Sequence, residues 1–255
     1  MSKTSQDELK RAAAVAAAAL VEDGMIVGLG TGSTAAFAVA ELARRVKQGL
    51  RFVGIPTSER TAAAATAAGV AVSTLDEHPH IDLTIDGADE VERGTLNLIK
   101  GLGGALLHEK IVAAATKQLV IIVDDSKLVD HLGAHVTVPV EVVTFGLEAT
   151  RQSLQALGAT VTLRRDRLGK PFVTDSGNRI VDCSFGEISD AAQLEDSVRR
   201  VVGVVESGLF VNRADVVFVA SANGLQQMQR ARGQADAVKS HLTRFDTTLN
   251  KPSGA

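Results

Sequence analysis

Between Lys100 and Lys110 the chain reads KGLGGALLHEK, which sets a cation, three glycines and a carboxylate in the order Lys100, Gly101, Gly103, Gly104, Glu109. Glycines let backbone N–H groups come close to an anion, and the apolar run behind them reads as a helix whose N-terminus faces the same anion. Glu109 then falls near the second helical turn, within reach of whatever the loop holds. The chemistry this suits is the holding of negative charge beside a base. The same residues would also serve a tight strand-to-helix turn with a solvated Lys and Glu, so the other motifs have to decide.

Three more stretches carry chemistry. GLGTGST, Gly28 to Thr34, follows a short apolar run and precedes a long apolar-striped one, which makes the strand, glycine loop and helix of a phosphate-cradling unit. It is not a dinucleotide loop, because Ser33 stands at the third glycine position and Pro56 and Thr57, not a ribose-binding acid, follow the second strand. Nor does a Gly-Lys-Ser/Thr close it as a P-loop. The hydroxyls of Thr31, Ser33 and Thr34 beside a helix N-terminus suit a single phosphate. The second stretch is Asp86, Gly87, Ala88, Asp89, Glu90, at the carboxyl end of a strand over Ile81 to Ile85. Such carboxylates could hold Mg²⁺ through Asp86, Asp89 and Glu90, or bond the hydroxyls of a polyol. The third, Asp124 to Lys127, ends the strand Leu119 to Val123 and brings Lys127 to the same rim. Several such strand ends converging on one sheet edge make a site.

The elements that must position these residues follow from the pattern. Ser5 and Glu8 form a capping box for a helix running to about Val21. Asp7 and Glu8, and the Glu22-Asp23-Gly24 that follows, argue against a secretory signal there. Strands at Met25 to Val27 and Phe52 to Ile55, helices at Ala35 to Val46 and Glu59 to Ala68, and a weak strand at Val70 to Ser73 give an open, mostly parallel, Rossmann-like α/β sheet. From Val136 the texture changes to strand, helix (Leu147 to Leu157), strand (Ala159 to Leu163), a hairpin around Asp175 to Asn178, helix (Ala191 to Val201) and strand (Val204 to Glu206). That is close to βαββαβ, a ferredoxin-like α+β module. The expected division is 1–135 plus 207–230 for the catalytic domain, 136–206 for the small inserted domain, and 231–255 for a polar tail with no assigned function. Arg164 to Arg167 reads as a solvated turn between strands.

Composition narrows the partners. A net charge of −3 offers no general field for nucleic acid or anionic membrane, and the chain has no Trp or Tyr to stack on bases. No run reaches the eighteen or so apolar residues of a membrane span, which gives an expected cytoplasmic location. The single cysteine, Cys183, excludes an internal disulfide and reads as a packed strand thiol. Among the histidines, His131 and His135 have helical ligand spacing, but Gly133 lies between them and a metal site is not expected.

Taken in order, GLGTGST, IDGADE, KGLGGALLHEK, DDSK and PVEV (Pro139 to Val142), with VTDSGNRIVDCSF and ESGLFVNRADVVFVA beyond them, resemble the type A ribose-5-phosphate isomerases from about Asp7 to Gln227. Leu102 departs from the pattern, standing where the family often has a third consecutive glycine. The resemblance implies interconversion of ribose 5-phosphate and ribulose 5-phosphate through an enediolate, with no metal and no cofactor. It implies Glu109 as the general base, Lys100 with the amides of Gly101 and Gly103 facing the developing oxyanion, and Asp86 and Asp89 handling hydroxyl protons and ring opening. Thr31, Gly32, Ser33, Thr34 and Lys127 match the substrate-binding set, together with Gly87, Ala88 and Leu102, and Lys10 is a further candidate for the phosphate. It also implies a homodimer or dimer of dimers, with the small domain available for subunit contacts. The rival functions are a CoA transferase with a glutamate nucleophile, an amino-sugar phosphate isomerase, and a catalytically silent sugar-phosphate sensor. The IDGADE and KGLGGALLHEK pair opposes the first two; a sensor normally needs an output module, and no helix-turn-helix precedes Met25.

Overall fold

The computed structural model describes residues 5–230 and the backbone of 238–243. Its first half runs α1 (Gln6–Ala18), β1 (Ile26–Leu29), α2 (Ser33–Lys47), β2 (Val53–Pro56), α3 (Glu59–Ala67), β3 (Leu83–Gly87), β4 (Glu90–Glu92), β5 (Leu98–Ile99), α4 (Leu106–Ala114), β6 (Leu119–Asp124) and β7 (Leu128–Val129). The second half runs β8 (Val138–Val142), α5 (Leu147–Ala156), β9 (Thr160–Leu163), β10 (Arg179–Ser184), α6 (Ala191–Arg199), β11 (Val204–Ser207), β12 (Leu209–Phe210), β13 (Val216–Ser221), β14 (Gly224–Arg230) and β15 (Val238–Thr243).

The central sheet has the order β15-β14-β13-β6-β3-β1-β2. Pairing is parallel from β2 through β13 and antiparallel for β13 with β14 and β14 with β15. Leaving β1, the chain first goes outward to β2 and then returns past β1 to β3. The order therefore reverses between β1 and β3, where an open α/β sheet forms its ligand crevice. β6 is buried at all six positions, as a strand covered on both faces must be, and its run LVIIVD is apolar up to the terminal acid.

Helix α1 shows how sequence sets packing. Ser5 caps its N-terminus with the reciprocal Glu8 contact, and Ala13, Ala14, Ala17 and Ala18 form a fully buried face. Those small side chains join one hydrophobic cluster with Leu42 of α2 and Val120, Ile122 and Val216 of the sheet. On the other face, Ile121, Val123, Val217, Val219 and Phe210 form a second cluster.

Residues 138–207 form a separate antiparallel sheet in the order β11-β8-β10-β9, the strand order of a βαββαβ unit. A third sheet, β12-β5-β4-β7, stitches the two together. Of its strands, β12 falls where sequence patterning expects one, at Leu209 to Val211, whereas β5 and β7 hold two residues each, too few for alternation to register. Two other expectations change. The strand expected at Val70 to Ser73 is reduced to a single bridge, Gly54 with Val72. The tail expected after Arg230 includes β15, which pairs with β14 from Leu225 with Thr243 to Arg230 with Val238; the rest of 231–255 lies outside the described residues.

Candidate active site

The crevice is built by close approach of β1 to β3. A Cβ on Gly28 would lie 2.0 Å from Thr84 Oγ1, and one on Gly30 would lie 2.1 Å from Asp86 Oδ1 and 2.6 Å from the Asp86 Cα. Only glycine fits at either position. The approach lets the Thr31 N–H donate to Asp86 Oδ1 at 3.1 Å. Gly32 then caps α2 with φ +124°, which favours glycine, and supplies no side-chain cap. The first-turn N–H groups of α2 are left for an anion.

A cavity of about 130 Å³ opens here. One end is lined by Gly32, Ser33 and Thr34 at the start of α2, with Lys10 and Gln6 of α1 and Lys127 after β6. Lys10 Nζ donates to Ser33 Oγ at 3.2 Å. Two ammonium groups and a free helix N-terminus around one volume suit a phosphate.

The other end is lined by Gly87, Ala88, Asp89, Lys100, Gly101, Gly103 and Glu109. Lys100 leaves β5 buried and donates to Gly87 O at 2.6 Å, with its Nζ 2.9 Å from Asp86 Oδ2 and 3.5 Å from Glu109 Oε1. Glu109, on the first turn of α4, is equally buried, and its Oε2 has no hydrogen-bond partner. Burial, with the nearby charges of Asp86 and Asp89, pushes its carboxyl up to about 8 despite the opposing pull of Lys100. Burial raises Asp86 as well, against Lys100 and the N–H groups of Gly87 and Thr31. For Lys100, burial works against the charged form, but Asp86 and Glu109 outweigh it and its pKa rises, so it stays an ammonium. The result is a fixed cation beside a carboxylate poised near neutrality with one oxygen unengaged, a base next to an oxyanion site.

Comparison with known proteins fits this geometry. The profile of the ribose 5-phosphate isomerase A (phosphoriboisomerase A) family matches residues 53–224. Ribose-5-phosphate isomerase A of Gloeobacter violaceus is 60% identical over 220 residues, 86% of this chain and 95% of that protein. The chain belongs to the ribose 5-phosphate isomerase A family. Among solved structures, the family member from Methanocaldococcus jannaschii superposes with a TM-score of 0.85 at 41% identity, covering 89% of this chain and all of that one. A D-ribose-5-phosphate isomerase in complex with phospho-erythronic acid gives a TM-score of 0.87 at 37% identity, with 89% and 100% coverage.

Against this family frame, several residues sit differently from the sequence expectation. Thr31 borders the cavity, but its hydroxyl donates to Ser58 Oγ at 2.8 Å and lies 2.7 Å from Thr57 Oγ1 and 3.0 Å from Thr61 Oγ1. It holds the loop onto α3. Asp86 does not line the cavity; it is the counter-ion of Lys100. Glu90 is not part of a carboxylate metal set, because its oxygens accept from the N–H groups of Gly133, His135 and Val136 at 2.6, 2.6 and 3.1 Å. Among the described residues no cluster of three His, Cys, Asp or Glu groups is placed to hold a metal. Leu102 is 40% exposed and outside the cavity lining, and its N–H donates to Asp89 Oδ2 at 3.0 Å. Cys183 is a buried free thiol held up to about 12 by burial and by Asp182, as a packed strand cysteine should be. Gln6 was missed, and its place beside Lys10 one helical turn later is the signal that could have found it.

Lys110, next to Glu109 on α4, does not line the cavity. Its Nζ lies 3.0 Å from Glu195 Oε1 and 2.9 Å from Glu206 Oε1, tying α4 to α6 and β11. Burial pulls its pKa down against the two carboxylates.

Proposed function

We propose that this chain interconverts D-ribose 5-phosphate and D-ribulose 5-phosphate by proton transfer through an enediolate. The observation that carries the reading is Glu109 Oε2, buried and unpartnered, in a cavity it shares with Lys100 and with the phosphate-suited N-terminus of α2. The phosphate sits at Gly32 to Thr34 with Lys10 and Lys127, which sets the carbonyl end of the open-chain sugar against Lys100 and Glu109. Glu109 takes the proton from C2 as the C1 oxygen gains charge, and Lys100 with the Gly101 and Gly103 amides stabilises that oxygen. The same proton returns to C1 while the proton on O2 moves to O1, a transfer that falls to Asp89 at the cavity wall. Asp86 acts through Lys100 by fixing its charge and position.

A positioned base contributes about 10²–10⁴ in rate and cannot carry the reaction alone. An oxyanion donor adds about 3 kcal/mol, so Lys100 should matter as much as Glu109. The test is ketose formation from ribose 5-phosphate by the purified chain. CoA-ester exchange in place of isomerisation would reassign Glu109 as a nucleophile.

The chain acts on a small phosphosugar, with no metal, nucleic acid or membrane partner in the scheme. Among the described residues no helix is long and apolar enough to cross a membrane. The same reading includes a cytoplasmic location. A homodimer or dimer of dimers accords with Phe145 and Val202, 94% and 92% exposed on the inserted unit. Light scattering on the purified chain tests it; a monomer at micromolar concentration would rule it out.

A further inference from the structure

Arg164, expected to be a solvated turn residue, has every guanidinium nitrogen engaged. It follows β9, and its backbone is pinned by its N–H to Ile180 O and by its carbonyl to the Phe172 N–H, both at 2.9 Å. Nε donates to Asp182 Oδ2 at 3.0 Å, Nη2 donates to Asp182 Oδ1, and Nη1 donates to Gly101 O at 2.9 Å and Leu102 O at 3.0 Å. The inserted unit thus reaches across and holds two successive carbonyls of the loop between Lys100 and Glu109.

Each of those carbonyls shares a planar peptide with the next N–H, which points the opposite way. The N–H paired with Gly101 O belongs to Leu102 and donates to Asp89 Oδ2 at 3.0 Å. The N–H paired with Leu102 O belongs to Gly103, which lines the cavity, and among the described residues it has no partner within the protein. A cation bound to a carbonyl oxygen also polarises the N–H across the same peptide and strengthens it as a donor. Gly101 has φ +100°, and a Cβ there would lie 2.5 Å from Leu106 Cβ, so the loop can take this path only with glycine and has no side chain of its own to hold it.

We propose that Arg164 is a positioning residue for the isomerisation: clamped by Asp182, it fixes and polarises the Leu102 and Gly103 peptides from behind, so that the Gly103 N–H faces the enediolate oxygen and the Leu102 N–H holds Asp89. The proposal rests on the isomerase function above. It concerns stabilisation of developing charge and leaves the phosphate end untouched.

The experiment is steady-state kinetics of Arg164→Ala and Arg164→Lys on ribose 5-phosphate, with calorimetric binding of phospho-erythronic acid and of inorganic phosphate. Arg164→Ala should lower kcat by about 10- to 100-fold with KM changed less than about threefold, the pattern of an interaction made in the transition state. Phospho-erythronic acid should bind more weakly, inorganic phosphate should bind unchanged, and added guanidinium at sub-denaturing concentration should restore part of kcat. Arg164→Lys should recover little, since one ammonium cannot match the planar fork to both a carboxylate and two carbonyls. If Arg164→Ala does not fold, Asp182→Asn, which frees the clamp but keeps the guanidinium, should show the same kcat-selective loss in smaller measure. A kcat within twofold of wild type for Arg164→Ala, or for Asp182→Asn where that variant substitutes, overturns the proposal, as does a loss that only follows the unfolded fraction. An inactive wild-type chain would instead overturn the isomerase reading itself.

Discussion

Replacing Glu109 with Gln keeps the size of the side chain and removes its ability to accept a proton, so it isolates the base. The carboxyl is held up to about 8 by burial, with its Oε2 unengaged. If that carboxylate takes the proton from C2, the active fraction of free enzyme rises from about one-tenth at pH 7 to about nine-tenths at pH 9, and kcat/KM rises about tenfold across that range. Lys100 does not blunt the rise, because its own pKa is raised and it stays charged. Glu109→Gln should lose about 10²–10⁴ in kcat and lose the pH ramp with it, while phospho-erythronic acid binding is largely kept. The assay is initial-rate ketose formation over pH 6 to 9.5 on both proteins. A variant within about tenfold of wild type, or one that retains the ramp, would remove Glu109 from the base role.

The same shift has a consequence for stability. A carboxyl with an ordinary value of 4.5 unfolded and about 8 folded binds more proton in the folded state between those limits. Stability contributed at this site is therefore present below pH 4.5 and lost as pH rises through 8, and Glu109→Gln should show a smaller fall in Tm from pH 5 to 8.5 than wild type. Lys100→Met should cut kcat by about 10²–10³ and also lower Tm, because the buried Asp86 and Glu109 lose their cation; a pure KM effect would make Lys100 a binding residue only. Lys127→Ala should raise KM with kcat within about threefold, as loss of a phosphate contact does, and a kcat-only effect would contradict the placement of the phosphate. Gly30→Ala should fail to give a native, active chain, since its Cβ would lie 2.6 Å from the Asp86 Cα; a stable, active variant would contradict the close approach of β1 and β3.

Much of the site was legible because its parts are local in sequence. Gly28 to Thr34 reads as a strand, glycine loop and helix suited to a phosphate, Asp86 follows an apolar strand, and Lys100 and Glu109 flank a glycine loop that leads into a helix. What could not be read is what depends on long-range pairing. Arg164 looks like one charge in a basic turn until its partners, Asp182 and the carbonyls of Gly101 and Leu102, come from other elements. Thr31 borders the cavity as the sequence suggests, but the bonds of its hydroxyl to Thr57, Ser58 and Thr61 come from another element and could not be read. Glu90 looks like a metal ligand until three N–H groups more than forty residues away occupy it. The fold divides in the same way. The parallel sheet and the βαββαβ unit show in periodicity, whereas the two-residue strands β5 and β7 rest on backbone pairing across the chain.

The most direct test of the central claim is conversion of ribose 5-phosphate by the purified chain in excess chelator, followed by NMR. The account predicts that ribulose 5-phosphate accumulates to the same equilibrium mixture from either sugar, at a rate indifferent to the chelator. Absence of any ketose from a correctly folded chain would contradict it, and activity lost to the chelator and restored by Mg²⁺ would contradict a mechanism carried by Glu109 and Lys100 alone.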